Sequence, residues 1–183
     1  HILADVAMQA RAGDVLFLPG LRVPRLVEQY ELLDQQHALS AVQSGEAAVK
    51  REEDVRLAIA ALKPLADRGI RIVLEAPKPV LAAPPFRCSD AFNRGNPICV
   101  NGMAVSRERM EALRTPAMTS LKQVAQALPG ASVWDPLPVL CPGATCQPEQ
   151  AGKPLYFDGD HLSGHGNRTL LPSFRSHQAT EVH

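Results

Sequence analysis

The sequence predicts an α/β domain, a three-layer sandwich in which helices cover both faces of a mainly parallel sheet. Long segments with helical periodicity alternate with short apolar runs along the chain, which is the order expected when helices connect parallel strands. The length of 183 residues suits one domain with a substantial core, and the chain shows neither an internal repeat nor a dividing linker. We therefore expect one domain over residues 1–183.

Four short apolar runs are predicted to be the strands. Asp14–Leu18 (DVLFL) ends at a Pro-Gly pair, and Ile70–Leu74 (IRIVL) is rich in β-branched residues, as buried strands usually are. Ser132–Trp134 and Leu155–Phe157 are shorter runs, and an aspartate directly follows each of them. We expect these runs to form the sheet.

Two long segments are predicted to be amphipathic helices. In Glu46–Asp67 apolar residues recur every three or four positions, and Gly69 stands where a glycine commonly follows a helix end. Ser106–Leu128 keeps one apolar stripe across Pro116, which favours a single kinked helix. The alternative is two helices, with Thr115 as the N-cap of the second and Pro116 at its first position.

Two further segments have weaker helical signals. Arg22–Gln43 carries apolar residues at helical spacing around Tyr30, although Pro24 lies near its start. Ser163 is placed to cap a final helix, which Pro172 is expected to limit because proline removes a backbone donor.

Charge and hydropathy exclude two classes of partner. The 19 basic residues balance 19 acidic ones, so the chain lacks the positive field with which proteins bind nucleic acid or an anionic membrane surface. Its apolar runs are far shorter than the roughly 20 residues that span a bilayer. The chain opens with His1 and shows no signal segment, so we expect it to be a piece of a longer polypeptide.

The four cysteines are predicted to form two local disulfides. Cys88 and Cys99 bracket a loop with Asn and Pro, and Cys141 and Cys146 bracket the turn-rich CPGATC. This pairing needs the least chain closure, and each cross-link is worth about 2–3 kcal/mol by loop entropy. The alternative is a zinc site, but the spacings lack the short C-x2-C pairs of common zinc ribbons. Disulfides indicate an oxidising compartment.

The segment Tyr156–Ser163, YFDGDHLS, carries the residues best suited to catalysis. Asp158 directly follows a predicted strand, and ligands of open α/β sheets bind beyond the carboxyl ends of the strands. An aspartate three residues before His161 can hold the imidazole Nδ1–H, so that Nε2 acts as a general base. Two alternatives are a solvated acidic turn and a metal site that adds Asp160 and His165.

The same segment resembles a known family. YFDGDHLS is similar to the last sequence block of the SGNH (GDSL-like) hydrolase superfamily, whose Asp and His are spaced D-x-x-H. FRCSDAFNRGNPIC and WDPLPVLCPGATCQPEQAGKPLYFDGDHLSGHGN resemble, more specifically, the SGNH domain fused behind acyltransferase family 3 membrane proteins. The resemblance covers roughly Asp14 to Phe174 and implies a flavodoxin-like SGNH-hydrolase fold.

The resemblance implies a role for each matched residue. Asp158 becomes the acid and His161 the base of a Ser-His-Asp triad, whereas Asp160 lies at the variable position between them. The four matched cysteines become structural disulfides (Cys88, Cys99, Cys141 and Cys146). Trp134 and Ser163 are expected to be a core residue and a helix cap; a sugar platform is the alternative for Trp134.

The chain departs from the family pattern at two points. The family's G-D-S turn with the nucleophilic serine is absent, because Gly13-Asp14-Val15 opens a strand and valine cannot attack an ester. We therefore expect the serine to lie outside this chain and the N-terminal block to be missing. The oxyanion-hole donor is also unassigned; the Gly20 backbone and Arg22 are weak candidates.

The resemblance implies acetyl transfer to hydroxyls of a cell-surface polysaccharide, such as lipopolysaccharide O-antigen. The expected partners are a polysaccharide or lipid-linked glycan acceptor and an acyl donor delivered through a membrane acyltransferase domain. The expected place is a periplasmic domain of an inner-membrane protein. Neither cofactor, metal nor nucleic acid is predicted. The alternatives are a carbohydrate or lipid esterase with the same residues and a non-catalytic glycan-binding module.

Overall fold

The computed structural model describes residues 2–20 and 35–180. Within these ranges the chain forms eight α-helices and seven strands, and Ala91–Asn93 adds a 3₁₀ turn. In chain order they are α1 (Ile2–Gln9), β1 (Val15–Leu18), α2 (Gln35–Gln43), α3 (Gly45–Ala66), β2 (Arg71–Glu75), α4 (Pro85–Cys88), α5 (Pro97–Gly102), β3 (Val105–Ser106), α6 (Arg107–Ala127), β4 (Ala131–Trp134), α7 (Leu137–Leu140), β5 (Thr145–Cys146), β6 (Glu149–Gln150), β7 (Lys153–Pro154) and α8 (Gly164–Thr180).

A parallel sheet with the order β1-β2-β4 lies at the centre. Leu16 lies opposite Ile72 across the first pair of strands, and Leu74 lies opposite Val133 across the second. Because the strands are parallel, their carboxyl ends meet at one edge of the sheet. The first three predicted strands and the α/β class are therefore confirmed.

Helices cover both faces of this sheet, as predicted. Alternate residues of β2 point to opposite sides: Ile72 and Leu74 pack with α3 and α6, whereas Val73 packs on the side of α8. On that second side, Trp134 contacts Phe17 and Phe174 in edge-on arrangements with ring centroids 6.1 and 5.0 Å apart. Since both faces are buried, the strands read as continuous apolar runs.

Local capping explains where the two longest helices begin. The Ser44 hydroxyl accepts the N–H of Ala47 at the start of α3, and the Ser106 hydroxyl accepts the N–H of Arg109 at the start of α6. The helix α6 continues through Pro116, so the prediction of one helix is confirmed. Its buried apolar stripe on the sheet outweighs the loss of one backbone donor at the proline.

Two predictions of secondary structure were wrong. Leu155–Phe157 is not a strand of the sheet, because the Leu155 N–H donates to Pro148 O and its carbonyl accepts the N–H of Ser163. Tyr156 forms only an isolated antiparallel bridge with Leu162. The last helix, in turn, runs through Pro172 to Thr180. Leu170 and Phe174 pack on the sheet on either side of that proline and hold the helix together.

A buried arginine forms an ion pair with a half-buried aspartate beside the sheet. Arg114 of α6 is 1% exposed, and its Nη2 donates to Asp135 Oδ2 at 2.6 Å. Asp135 directly follows β4, and its other oxygen accepts the N–H of Leu137. The pair therefore ties α6 to the start of α7 at the edge where the strands end.

Most of the predicted segment Arg22–Gln43, including Arg22 and Tyr30, lies outside the described residues; its last part forms α2, Gln35–Gln43. In the parts of the chain that the structure describes, the helices are too short or too polar to cross a membrane.

Candidate active site

The segment around His161 forms a tight loop that is closed by backbone hydrogen bonds. The Phe157 N–H donates to His161 O at 2.7 Å, so the chain turns back on itself over five residues. The Gly159 carbonyl accepts the N–H of Leu81 at 2.7 Å, which fastens the tip of the loop to the segment after β2. The loop is therefore held at both its base and its tip.

Two glycines allow the close approaches that this loop requires. A Cβ on Gly159 would lie 2.5 Å from Leu81 O, and one on Gly166 would lie 2.1 Å from Leu155 O. Both distances are shorter than van der Waals contact, so a side chain at either position would push the backbones apart. The glycines of the DGDH and HLSGHG strings are thus part of what positions His161.

Asp158 orients both the backbone and the imidazole of the loop. Its Oδ1 accepts the N–H of Asp160 at 3.0 Å and the N–H of His161 at 2.7 Å. Its Oδ2 lies 2.8 Å from His161 Nδ1. A carboxylate in this position selects the tautomer with the proton on Nδ1, which places the basic lone pair on Nε2.

The environment of Asp158 favours its ionised form. Partial burial raises the pKa of Asp158, but the backbone N–H groups of Asp160 and His161 and the imidazole of His161 outweigh that effect and lower it to about 2. Hydrogen bonds to the charged form of a carboxyl group act in this direction. The carboxylate is therefore available to the imidazole throughout the neutral pH range.

Asp160, to which the family resemblance gives no catalytic role, is a second carboxylate at the same imidazole nitrogen. Its Oδ1 lies 3.0 Å from His161 Nδ1, and its side chain is 12% exposed. The string DGDH contains this second aspartate, but the D-x-x-H spacing assigned the triad acid to Asp158 alone. The structure brings both carboxylates to one ring nitrogen.

The loop lies at the edge where the parallel strands end. Leu162, next to His161, lines a cavity of about 150 Å³ together with Glu75 and Trp134, the last residues of β2 and β4. The His161 side chain is 46% exposed. The imidazole is thus both fixed by its partners and accessible from outside.

Glu75 is a charged residue at this edge that the sequence analysis missed. It is 4% exposed, and its Oε2 accepts the backbone N–H of Gly20 at 2.6 Å and the ammonium of Lys78 at 2.5 Å. The signal in the sequence was an acidic residue directly after the predicted strand Ile70–Leu74. Because the Gly20 N–H donates to Glu75, Gly20 can serve as an oxyanion donor only if that hydrogen bond is broken. Arg22, the other candidate donor, lies outside the described residues.

The serines near histidines have structural roles here. The Ser163 hydroxyl donates to Pro154 O and accepts the N–H of Gly166, which confirms it as a helix cap. Ser132 lies 2.9 Å from His177 Nε2, but Ser132 is 8% exposed on an interior position of β4. Neither is placed to attack a substrate at His161.

The acidic residues of the loop also offer a possible metal site. One ligand atom each from Asp158, Asp160 and His161 lies within 4.8 Å of the others. His165, the fourth residue considered, instead has its Nε2 3.2 Å from Gln150 O. The ring nitrogen that faces both carboxylates is the one a triad would use, so the geometry suits proton transfer better than metal binding.

The four cysteines pair as predicted, Cys88 with Cys99 and Cys141 with Cys146. The first disulfide joins α4 to α5, and the second belongs to the core cluster that contains Trp134 of β4 and Leu170 of α8. Trp134 is 4% exposed and packs in the core, as expected.

Comparison with known proteins identifies the family. The family model described as "SGNH domain (fused to AT3 domains)" matches residues 4–176, nearly the whole described chain. No curated protein and no solved structure matches the chain. A parallel α/β sheet with Asp158 and His161 beyond its carboxyl edge agrees with this match, and the chain belongs to the family of SGNH domains that are fused to AT3 domains.

Proposed function

We propose that this domain supplies the acid and base of a Ser-His-Asp site that transfers an acetyl group to hydroxyls of a cell-surface polysaccharide. The observation that carries the proposal is the 2.8 Å contact between Asp158 Oδ2 and His161 Nδ1, in a loop at the carboxyl edge of the sheet. Membership of the SGNH family supports esterase or acyltransferase chemistry in general. The identities of the acceptor and the donor and the roles of the site residues are proposals.

The proposed reaction has two stages with one base. His161 Nε2 takes the proton of a serine hydroxyl while the serine oxygen attacks the acyl carbonyl, and the imidazolium then protonates the leaving group of the donor. His161 next takes the proton of a sugar hydroxyl while the sugar oxygen attacks the carbonyl of the acyl-serine. The imidazolium then gives this proton to the departing serine oxygen, and the acylated sugar is released. The Asp158 carboxylate stabilises the positive charge that the imidazole carries between the two proton transfers.

The serine is proposed to come from outside residues 1–183, and the edge of the sheet suggests where. β1 is an edge strand of the described sheet, with Phe17 and Leu18 only half-buried. A parallel strand added beside β1 would end next to Gly20, at the edge where His161 lies. A turn that follows such a strand would bring its serine towards the imidazole.

The test is His161→Ala in a protein that joins this domain to its serine-bearing segment. We expect acetyl transfer to be abolished, whereas the free energy of unfolding changes by less than about 0.5 kcal/mol, because the ring is 46% exposed. His165→Ala is the matched control, since His165 lies four residues away and contacts only the Gln150 carbonyl among the interactions described. Full activity of His161→Ala eliminates the proposed role.

An esterase that uses water as the acceptor is the second candidate, favoured by the same exposure of His161. Incubation of the intact protein with an activated acetyl ester and a glycan separates the two. Acetate release without labelling of the glycan supports hydrolysis, and O-acetylated glycan supports transfer.

The proposed location is a periplasmic domain of an inner-membrane protein. Both cysteine pairs are joined, and structural disulfides persist in oxidising compartments such as the periplasm. Thiol titration of the denatured, unreduced protein tests this: four reactive thiols would contradict an oxidising compartment.

A further inference from the structure

Two exposed phenylalanine rings contact each other next to the candidate site. Phe86 of α4 and Phe157 are 52% and 58% exposed. Their ring centroids are 5.4 Å apart, and the ring planes are inclined by 37°. Phe157 directly precedes Asp158, and its N–H bonds to the His161 carbonyl. The two rings therefore form one apolar surface that begins within the loop that carries Asp158 and His161.

Both rings stand on backbone that is fixed by covalent and hydrogen bonds. Phe86 belongs to a helical turn that the disulfide Cys88–Cys99 holds, and the Ser89 hydroxyl donates to the Phe86 carbonyl at 2.8 Å. Phe157 is held by the loop closure at His161 described above. A surface fixed before its ligand arrives costs little ordering entropy when it binds. This arrangement is typical of a binding platform rather than of aromatic residues left exposed singly.

We infer that Phe86 and Phe157 form the subsite for a pyranose ring of the glycan acceptor, an inference that rests on the proposed function. The C–H groups on one face of a pyranose carry a small positive charge, and the faces of aromatic rings are negative. The polar rim that orients sugar hydroxyls is supplied by Asp158 and by the exposed Arg87. Stacking on the pair places a neighbouring sugar hydroxyl next to His161.

The charges around the pair favour a sugar over a membrane surface. Aromatic residues also insert into lipid headgroups, and Phe92 in the neighbouring loop between Cys88 and Cys99 is 92% exposed. However, Asp158 and Asp160 lie within three residues of Phe157, and Asp158 is held ionised. These two carboxylates outnumber the one cation next to the pair, Arg87, and so oppose contact with anionic lipids.

The experiment measures binding of two neutral oligosaccharides, maltotetraose and N-acetylchitotetraose, to this chain by saturation-transfer NMR and calorimetry. We expect binding of at least one probe in the wild type, with about a tenfold weaker affinity in Phe86→Ala and in Phe157→Ala. Phe92→Ala is the control because it removes a more exposed ring from the neighbouring loop between Cys88 and Cys99, and its affinity should match the wild type. Phe157→Trp should retain binding, and circular dichroism checks that each variant is folded.

Other results overturn the inference. They are a wild type that binds neither probe, equal losses in Phe92→Ala and Phe157→Ala, and capture of the wild type by phosphatidylglycerol vesicles that is lost in Phe86→Ala. His161→Ala separates this inference from the proposed function: it should bind the probes normally but fail to transfer acetyl groups. If His161→Ala retains transfer while the phenylalanine variants lose binding, the subsite stands and the proposed catalytic role fails.

Discussion

Substituting Asp158 by asparagine tests the candidate site most directly, because it keeps the loop while changing the group that faces the imidazole. The amide oxygen of asparagine can still accept the backbone N–H groups of Asp160 and His161, which now bond at 3.0 and 2.7 Å. The amide nitrogen, however, replaces the oxygen 2.8 Å from Nδ1. Two donors then face each other, so the imidazole is driven to the tautomer with its proton on Nε2, which cannot act as the base.

The size of the effect depends on the second carboxylate. Loss of a lone orienting aspartate in a triad costs about 10⁴ in kcat. Here Asp160 Oδ1 remains 3.0 Å from Nδ1, so we expect Asp158→Asn to cost about 10²–10³. Asp160→Asn alone should cost less than about tenfold, and the double variant about 10⁴, since neighbouring groups are not additive. The assay is acetyl transfer in a protein that carries this domain and its serine.

The free energy of unfolding of Asp158→Asn should depend less on pH in the acidic range than that of the wild type. A pKa lowered from 3.8 to about 2 on folding corresponds to about 2 kcal/mol, which solvent screening of this partly exposed group reduces to about 1. Because the folded-state pKa lies below the unfolded value, the stabilisation is complete above about pH 4 and is lost as the pH falls towards 2. Urea unfolding at a series of pH values measures it as the difference between wild type and Asp158→Asn.

Two results would refute this reasoning. One is a loss of activity in Asp160→Asn as large as that in Asp158→Asn, since Asp158 would then not be the principal partner of the imidazole. The other is an identical pH dependence of stability in wild type and Asp158→Asn, since the carboxylate would then not be held ionised by the loop.

Three further predictions concern the framework, each measured by urea unfolding. Gly159→Ala places a Cβ 2.5 Å from Leu81 O, so we expect a loss of about 1–3 kcal/mol; unchanged stability would contradict the close approach. Asp135→Ala removes the partner at 2.6 Å from the buried guanidinium of Arg114 and leaves Glu111 Oε2, 3.7 Å from Nε, as its remaining described partner. We expect a loss of about 3 kcal/mol, whereas Asp54→Ala at the exposed pair with Lys50 should lose less than about 0.5 kcal/mol. Tyr156→Phe removes a hydroxyl that is buried without a hydrogen-bond partner among the described residues, and burial already raises the pKa of Tyr156. We expect unchanged stability or a gain of up to about 1 kcal/mol, and a loss of more than 1 kcal/mol would reveal a bond to that hydroxyl.

Sequence periodicity was sufficient for the central sheet and the longest helices. Ile70–Leu74 and the stripe across Pro116 have strong patterns, because strands and helices buried on a sheet must be apolar at fixed intervals. The same reasoning failed at Pro172, where packing of Leu170 and Phe174 decides the outcome. Proline in a helix costs free energy locally, and the sequence does not show how much of that cost is offset by burial of the neighbouring side chains.

The prediction of a strand at Leu155–Phe157 was wrong for a different reason. Its composition is that of a strand, but strand formation needs a partner, and its backbone groups bond instead to Pro148 and Ser163. A partner of that kind is set by tertiary structure, which a single run of residues does not encode. The position of His161 after this run was nevertheless useful, because the loop still lies at the edge where the strands end.

The candidate site was predictable where chemistry and spacing coincide. The spacing of Asp158 and His161 led to a contact of 2.8 Å, whereas Asp160 and Glu75 acquire their partners only through folding. Glu75 meets Gly20 across 55 positions of sequence. Such contacts depend on the strand order, which local patterns do not determine.

The hydrogen bonds described around His161 suggest that the acid and base are positioned before the nucleophile arrives. The bonds to Asp158, the closure at Phe157 and the link to Leu81 all lie within the described residues. None of these bonds requires a substrate or a serine, so in the proposed reaction the pairing of Asp158 with His161 and the delivery of the nucleophile are separable events. The proposed serine-bearing segment would then only have to place its hydroxyl beside an imidazole whose tautomer and orientation are already fixed. Under the proposed function, catalysis should accordingly depend on how well a serine-bearing segment docks at the edge where His161 lies, and far less on any rearrangement of the loop that carries Asp158 and His161.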